Sequence, residues 1–388
     1  MRASFACLFG SLIAMAPMAA LAEPPHFELK SGDRIVLVGD TMIERDQRYG
    51  YLETLLTLLH PDKDLTFRNL GWSGDTVAGL SRAGFDPPEA GYRRLVEQVH
   101  AARPSVLIVG YGMADSFDGE SGRARFVSGL NRFLDDVADT HARVVLLSPI
   151  ACDRPSPELP DPAPHNAMIE RYARSMAEVA QSRGSRFIDL FDPTRDREAH
   201  APNTDDGVVP NEAGHRFLAG VIVRGLDPSA PHEVPHVEAK GPHFRITRPT
   251  LAVLGDGTSR PLIDTSLVVK ATGLSPGRHE LRIEGRPIAS KTAEEWAAGV
   301  SIDDLPDRDR VERLRAAIHA KNRLFFHRWR PQNITYLFGF RKHEQGNNAV
   351  EIPRFDPLVE EQERAIARLR RPVGRECELI RVEGQAGS

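Results

Sequence analysis

Between Ile35 and Leu226, short apolar runs alternate with stretches in which apolar residues recur every three or four positions. The runs are Ile35-Val36-Leu37-Val38, Leu65 to Leu70, Val106-Leu107-Ile108-Val109, Val144 to Leu147 and Phe187 to Leu190. Each is too short for a buried helix, so five strands are expected. Helical spacing lies between them: Gly50 to His60, through Tyr51, Leu55, Leu58 and Leu59; Pro88 to Ala102; Ala124 to Thr140, through Phe126, Leu130, Phe133, Leu134 and Val137; Ala167 to Arg183; and Asn211 to Arg224. Strands apolar on both faces, separated by amphipathic helices, predict a parallel sheet covered on both sides. In such a sheet the ligand site lies beyond the carboxyl ends of the strands.

The pattern changes after residue 226. A Pro-rich stretch, Asp227 to Pro235, predicts a linker over 227–242. Leu251 to Leu254, Ser266 to Lys270 and His279 to Glu284 alternate or carry β-branched residues between Gly, Pro and Asp. They predict a small β-sandwich-like domain over 243–290. Ala293 to Val300, Asp307 to Leu324 and Glu360 to Leu369 have helical spacing, and Phe325 to Pro353 is polar and aromatic. Residues 291–372 are therefore expected to form a helical, polar-aromatic C-terminal segment, and 373–388 a flexible tail.

The first residues stand apart from the fold. Arg2 is the one charge before an apolar run from Phe5 to Met15, and Ala20-Leu21-Ala22 precedes Glu23. This is the pattern of a signal peptide over 1–22, too short and too interrupted at Pro17 for a membrane span. The first domain is then expected over 23–226, and the mature protein is expected to be exported, periplasmic or extracellular, with no membrane association after cleavage. Cys7 leaves with the leader. Cys152 and Cys377 remain, in a compartment that permits a disulfide. Neither stands in a zinc-like spacing, so no metal or cofactor is expected. Lys plus Arg number 50 and Asp plus Glu 54, for a formal charge of −4. That balance offers no electrostatic attraction for nucleic acid. With 41% hydrophobic and 27% charged residues in 388, the chain has a globular composition, enough for two or three domains.

The chemistry is expected at the strand ends. Gly39-Asp40-Thr41-Met42-Ile43-Glu44-Arg45 follows the first strand, Asn69-Leu70-Gly71-Trp72-Ser73-Gly74-Asp75-Thr76 the second, and Tyr111-Gly112-Met113-Ala114-Asp115-Ser116 the third. Thr204-Asp205-Asp206-Gly207-Val208-Val209-Pro210-Asn211 precedes the last helix of the block. Four polar, glycine-containing turns at one sheet edge make a pocket.

In order and spacing these turns resemble the SGNH hydrolases, the GDSL family of esterases and lipases, over about residues 33 to 226. The whole chain is similar to exported GDSL-like proteins of bacteria such as planctomycetes. The resemblance implies an SGNH-type three-layer α/β/α sandwich with a five-stranded parallel sheet. It also implies hydrolysis of ester bonds, acyl or acetyl, on a small molecule or a carbohydrate. Gly39-Asp40-Thr41 matches the nucleophile block. Gly74 matches the oxyanion-hole glycine, and Gly112-Met113-Ala114-Asp115 the block that carries the oxyanion-hole asparagine. Asp206-Gly207-Val208-Val209 matches the block of carboxylate and base, with Asp205 a second candidate for the carboxylate.

Three positions depart from the family. The serine is Thr41, the asparagine Ala114 and the histidine Val209. A hydroxyl is a weak nucleophile until a base takes its proton, and valine accepts none. Threonine keeps the hydroxyl on a stiffer, crowded side chain. Loss of one side-chain oxyanion donor costs on the order of 10²–10³ in rate. A Ser-His-Asp site cannot be assembled from these positions. Three readings follow: a member that binds an ester or glycan without chemistry, an enzyme whose base comes from elsewhere, or an interaction module that kept the scaffold.

A replacement base is sought in the C-terminal run, where His327, Arg328, Arg330, Arg341, His343 and several amides are interleaved with Phe325, Phe326, Trp329, Tyr336, Phe338 and Phe340. Such mixtures line polar ligand sites. The run is expected to fold over the strand-end pocket and bring His327 or His343 to it. Asp40, Asn69, Gly74 and Ser116 are the expected substrate-binding or oxyanion residues, Ser116 as a substitute donor. Glu44 and Arg45 are read as helix-capping charges, and His215 as a half-exposed helix residue.

Overall fold

The computed structural model describes residues 27–196, 203–257, 259–331 and 334–382. The expected signal peptide and the end of the expected tail lie outside these residues. Five parallel strands, β1 (Arg34–Gly39), β2 (Thr66–Asn69), β3 (Val106–Gly110), β4 (Arg143–Leu147) and β5 (Arg186–Ile188), form one sheet in the order β2-β1-β3-β4-β5. Successive side chains along β1 enter different cores. Ile35 and Leu37 pack under α1 (Thr41–Tyr49), α2 (Tyr51–Leu59) and α8 (Glu212–Leu226). Val36 and Val38 pack under α3 (Pro88–Ala102), α5 (Gly119–Asp136) and α6 (Ala163–Arg183). Burial on both faces is why β1 and β3 read as unbroken apolar runs, whereas the edge strand β2 alternates. Two short helices, α4 (Met113–Ser116) and α7 (Phe191–Arg195), follow β3 and β5. The domain is an SGNH-type α/β/α sandwich.

The strand order reverses at β1, so the carboxyl ends of β1 and β3 form the crevice where such sheets bind ligands. Those ends approach closely. A Cβ at Gly39 would lie 2.1 Å from the Gly110 carbonyl oxygen.

The β-domain has a three-stranded sheet, β13-β10-β6, and a four-stranded sheet, β12-β11-β14-β7. The first comprises β6 (His236–Lys240), β10 (Leu267–Thr272) and β13 (Val300–Ile302). The second comprises β7 (His243–Ile246), β11 (Arg278–Ile283), β12 (Arg286–Thr292) and β14 (Arg375–Val382). Trp296, from α9 (Ala293–Ala298), is fully buried between them and donates to the His279 carbonyl. The hairpin β8 (Val253–Leu254) and β9 (Ile263–Asp264) lies beside α2.

The sequence reading differs here in two places. His236–Lys240, expected as linker, is a strand. Arg375–Val382, expected as the start of a loose tail, is an inner strand between β11 and β7. Its partners are far away in the sequence, and the adjacent Leu379-Ile380 pair blurs its alternation. Cys152 and Cys377 are both free thiols.

The C-terminal segment is built on two helices, α10 (Pro306–Trp329) and α13 (Phe355–Leu369), packed on each other and on the edge of the first domain. Two short helices, α11 (Ile334–Leu337) and α12 (Lys342–Gln345), lie in the arch between them. The Lys321 ammonium, 1% exposed, is 2.6 Å from Glu53 on α2. Burial pushes the Glu53 carboxyl up and the Lys321 amine down, and each partner's charge opposes the shift. Among the described residues no helix is long and apolar enough to cross a membrane.

Candidate functional site

The site begins where β1 turns into α1. Asp40 has extended backbone and its carboxylate accepts from Met42 N at 3.1 Å, which caps the helix. Thr41 therefore opens α1 with its side chain at the rim, half-buried. The second turn lies directly on α1, because Gly71 has no side chain: a Cβ there would be 2.2 Å from Glu44 N. Trp72 N donates to the Gly39 carbonyl at 3.0 Å, and Gly74 takes a left-handed φ of +65°. The loop thus points the Gly74 N–H at Thr41, whose Oγ1 accepts it at 2.8 Å. Beneath, Asp75 and Arg82 form a fully buried ion pair of 2.7 Å that anchors the loop.

The third turn brings the Met113 backbone N–H to the Asp40 carboxylate. Asp115 is buried, with Oδ1 accepting from Val77 N at 3.3 Å and Oδ2 unpartnered. Burial foremost pushes both Asp40 and Asp115 up to about 7, and neighbouring carboxylates add to the shift. The Ser116 hydroxyl is buried, donates to the Met113 carbonyl at 2.7 Å and lies 3.1 Å from His165 Nε2. His165, from the start of α6, stacks on Phe117 with ring centroids 4.2 Å apart, and burial lowers its pKa. Nothing in the sequence linked His165 to this turn; its proximity comes from the packing of α6 on α4.

The fourth turn is held by Asp153, whose carboxylate accepts from Asn203 N at 2.6 Å, Thr204 N at 3.1 Å and the Thr204 hydroxyl. Asp206 is exposed and accepts from the backbone of Val208 and Val209 at 2.9 and 2.7 Å. Asp205, also exposed, accepts from the Asn211 amide at 2.9 Å. Both carboxylates shape the loop, and among the described residues neither hydrogen-bonds an imidazole. His215 is not half-exposed but buried, 5.0 Å from the Tyr49 ring centroid, and its Nε2 has no partner. Burial, then Arg45, pushes it down to about 3, so it is neutral at pH 7.

The C-terminal segment reaches the site through Arg330, not through a histidine. The Arg330 guanidinium lies 3.7 Å over the Trp72 ring and 3.4 Å from the Glu44 carboxylate. Glu44 also accepts from the Ser73 hydroxyl. Thr41, Glu44 and Arg48 share one face of α1. Glu44 and Arg48 line a cavity of about 600 Å³ with Gln47, His319, Arg323 and His327. His327 thus borders the cavity, with aromatic contacts to Phe326 and Phe355.

Three expected residues fall elsewhere. His343 is exposed, on a helix packed against α11 and the turn after it, and its ionic neighbour is Glu344 at 3.6 Å. The Asn69 side chain is buried, donating to the Ile43 carbonyl at 2.6 Å and accepting from Gly71 N at 2.8 Å, so it holds the loop and offers a ligand nothing. Ser116 is likewise committed internally. Glu44 and Arg330 were missed as site residues because their partners meet only in the folded chain. Among the described residues, no histidine hydrogen-bonds the Thr41 hydroxyl, and no group of three or more His, Cys, Asp or Glu side chains is placed to hold a metal.

A parallel sheet with a hydroxyl on the β1 turn, a glycine N–H facing it and a carboxylate loop before the last helix defines an SGNH-type hydrolase fold. Residues 32–217 match the GDSL-like lipase/acylhydrolase family, which this part of the chain resembles. Among solved structures, the chain resembles a gut microbial diltiazem-metabolizing enzyme, with a TM-score of 0.70 at 16% identity over 92% of this chain and 99% of that one. It also resembles an acetylxylan esterase from Geobacillus stearothermophilus, with a TM-score of 0.41 at 18% identity over 51% of this chain and 95% of that one. No curated protein matches the sequence. At these identities the likeness is one of fold.

Proposed function

We propose that this chain is an exported SGNH-fold protein that binds an ester-bearing small molecule or acylated carbohydrate beside Thr41 without efficient hydrolysis. The observation that carries this reading is the 2.8 Å bond from Gly74 N to Thr41 Oγ1, with valine at the base position. In a working esterase the hydroxyl gives its proton to a base while the N–H is reserved for the oxyanion. Here the two groups satisfy each other, and Ala114 adds no donor. The cavity along α1, mixing Glu44, Gln47, Arg48 and His327 with Phe326, supports a polar ligand. Export rests on the leader-like residues 1–22.

Hydrolysis is the second reading. It is favoured by the half-exposed Thr41 and by His327 in the neighbouring cavity, from which a bound substrate would have to recruit it. Purified protein lacking residues 1–22, titrated calorimetrically with acetylated xylo-oligosaccharides and assayed with p-nitrophenyl acetate, separates the two. Binding with turnover no faster than buffer is expected. Turnover abolished by Thr41→Ala overturns the binding-only reading, and absence of both binding and turnover overturns both.

A further inference from the structure

A groove runs from the Trp72 loop along α3, between that helix and the ends of α10 and α13. It consists of two adjoining hollows of about 530 and 640 Å³ that share Arg94, Gln98 and Phe338. Among the described residues, seven arginines and three carboxylates line them, and Asp75, Glu44 and Glu363 behind the lining pair with Arg82, Arg330 and Arg68, which leaves a surplus of one cation.

Two of these seven guanidinium groups make no ion pair among the described residues, while the other five do. Arg34 has one long bond, 3.4 Å to the Ala102 carbonyl, and Arg103 has no ion pair among the described residues. Burial lowers the pKa of Arg34, and the like charges of Arg68 and Arg103 lower it further. Glu363 answers Arg68 at 2.6 Å and offsets part of the like-charge repulsion at Arg34 without an ion pair to it. Like charges gathered in a partly enclosed groove repel one another, and a bound anion would remove that cost. Aromatic groups accompany the charges. Trp329 lines the second hollow with its Nε1 buried and unpartnered, and Phe338 and Phe340 stand 55% and 70% exposed at the first.

We infer that this groove binds an acidic oligosaccharide, with Arg34 and Arg103 holding its carboxylate or sulfate groups and the aromatic rings packing on its sugar faces. Guanidinium groups pair with such anions bidentately, and aromatic rings supply flat apolar surface to the C–H faces of pyranoses. Arginine and aromatic side chains also suit single-stranded nucleic acid, but among the described residues Arg34 and Arg103 are the two lining arginines without an ion pair, too few for a backbone that carries a phosphate on every nucleotide. Thr41 does not line the groove, although Trp72, Arg82 and Arg330 of the neighbouring loop form its near end, and the inference does not depend on what the Thr41 site does.

Calorimetric titration of the protein with tetragalacturonate, a heparin tetrasaccharide, neutral cellotetraose and the oligonucleotide dT8 tests it. At least one acidic tetrasaccharide should bind, and which one does identifies the anion. Its affinity should fall at least tenfold between 50 and 300 mM NaCl and at least tenfold in Arg34→Gln/Arg103→Asn. Ala101→Glu, which adds a carboxylate at an exposed groove position and removes no native contact, should weaken binding in the same sense if the double variant fails to fold. Failure of both acidic sugars to bind, equal binding of cellotetraose, tighter binding of dT8, or unchanged affinity in folded variants would each overturn the inference.

Discussion

The Thr41 hydroxyl accepts its hydrogen bond from the backbone N–H of Gly74, 2.8 Å away. A nucleophile position and an oxyanion position, which perform separate tasks in an ester hydrolase, are here each other's partner. The chemistry is limited by what surrounds that bond, and replacing the missing groups tests the limit. Thr41→Ser with Val209→His supplies an unbranched hydroxyl and an acceptor for its proton. Turnover of p-nitrophenyl acetate should rise at least tenfold over the parent. Adding Ala114→Asn should raise it further, by on the order of 10² as expected for one oxyanion donor. A folded triple variant as inert as the parent would show that these turns do not converge on one ester.

Arg330 holds the loop that presents Gly74. A cation–π contact of this kind contributes about 0.5–2 kcal/mol, and its 3.7 Å stack on Trp72 is joined by Glu44 and Ser73. Arg330→Ala should therefore speed hydrogen exchange at the Gly74 amide about tenfold and red-shift the Trp72 emission, while amides of β3 stay protected. Unchanged exchange at Gly74 would assign the loop's order to Asp75 and Arg82 alone.

Lys321 and Glu53 are a buried pair joining the C-terminal helix to the first domain. Removing one partner strands a charge, so Lys321→Ala should destabilise by about 3–5 kcal/mol in urea unfolding. The paired replacement Lys321→Met with Glu53→Leu should recover most of that loss, because two apolar groups need no solvation. A single variant within 1 kcal/mol of the parent, on the order of an exposed pair, would mean that water reaches the pair.

Asp115 gives stability a pH slope. Its carboxyl rises in the fold from the ordinary 3.8 to about 7, chiefly through burial, so the native state holds its proton more tightly than the unfolded chain does. The resulting stabilisation is complete below pH 3.8 and is lost as pH rises to about 7. Asp115→Asn stays neutral throughout, so relative to wild type it should gain stability between pH 4 and pH 7, on the order of 4 kcal/mol for a shift of this size. A difference constant across that range would mean the carboxylate is already ionised in the native state. His215, pushed down to about 3, acts in the opposite direction. Its stabilisation is present above pH 6.5 and fades as pH falls, and the difference measurement cancels it.

The sequence by itself determined the five-stranded sheet, because the central strands β1 and β3 are buried on both faces and leave unbroken apolar runs, and the edge strands keep enough apolar residues between turns to be read beside them. It also determined where chemistry must be sought. The turns after the strands are local, and the residues at the nucleophile, asparagine and base positions are readable without coordinates. What was not legible joins distant parts of the chain. Ser116 and His165 are 49 residues apart, and Glu53 and Lys321 are 268 apart. β14 pairs with strands on which its own pattern is silent. Tertiary packing alone decided that Arg330, and neither His327 nor His343, reaches the Trp72 loop. The packing of α10 on α1 and α2 settles which side chain arrives, and it rests on contacts between distant residues, such as Lys321 with Glu53, rather than on any spacing along the chain.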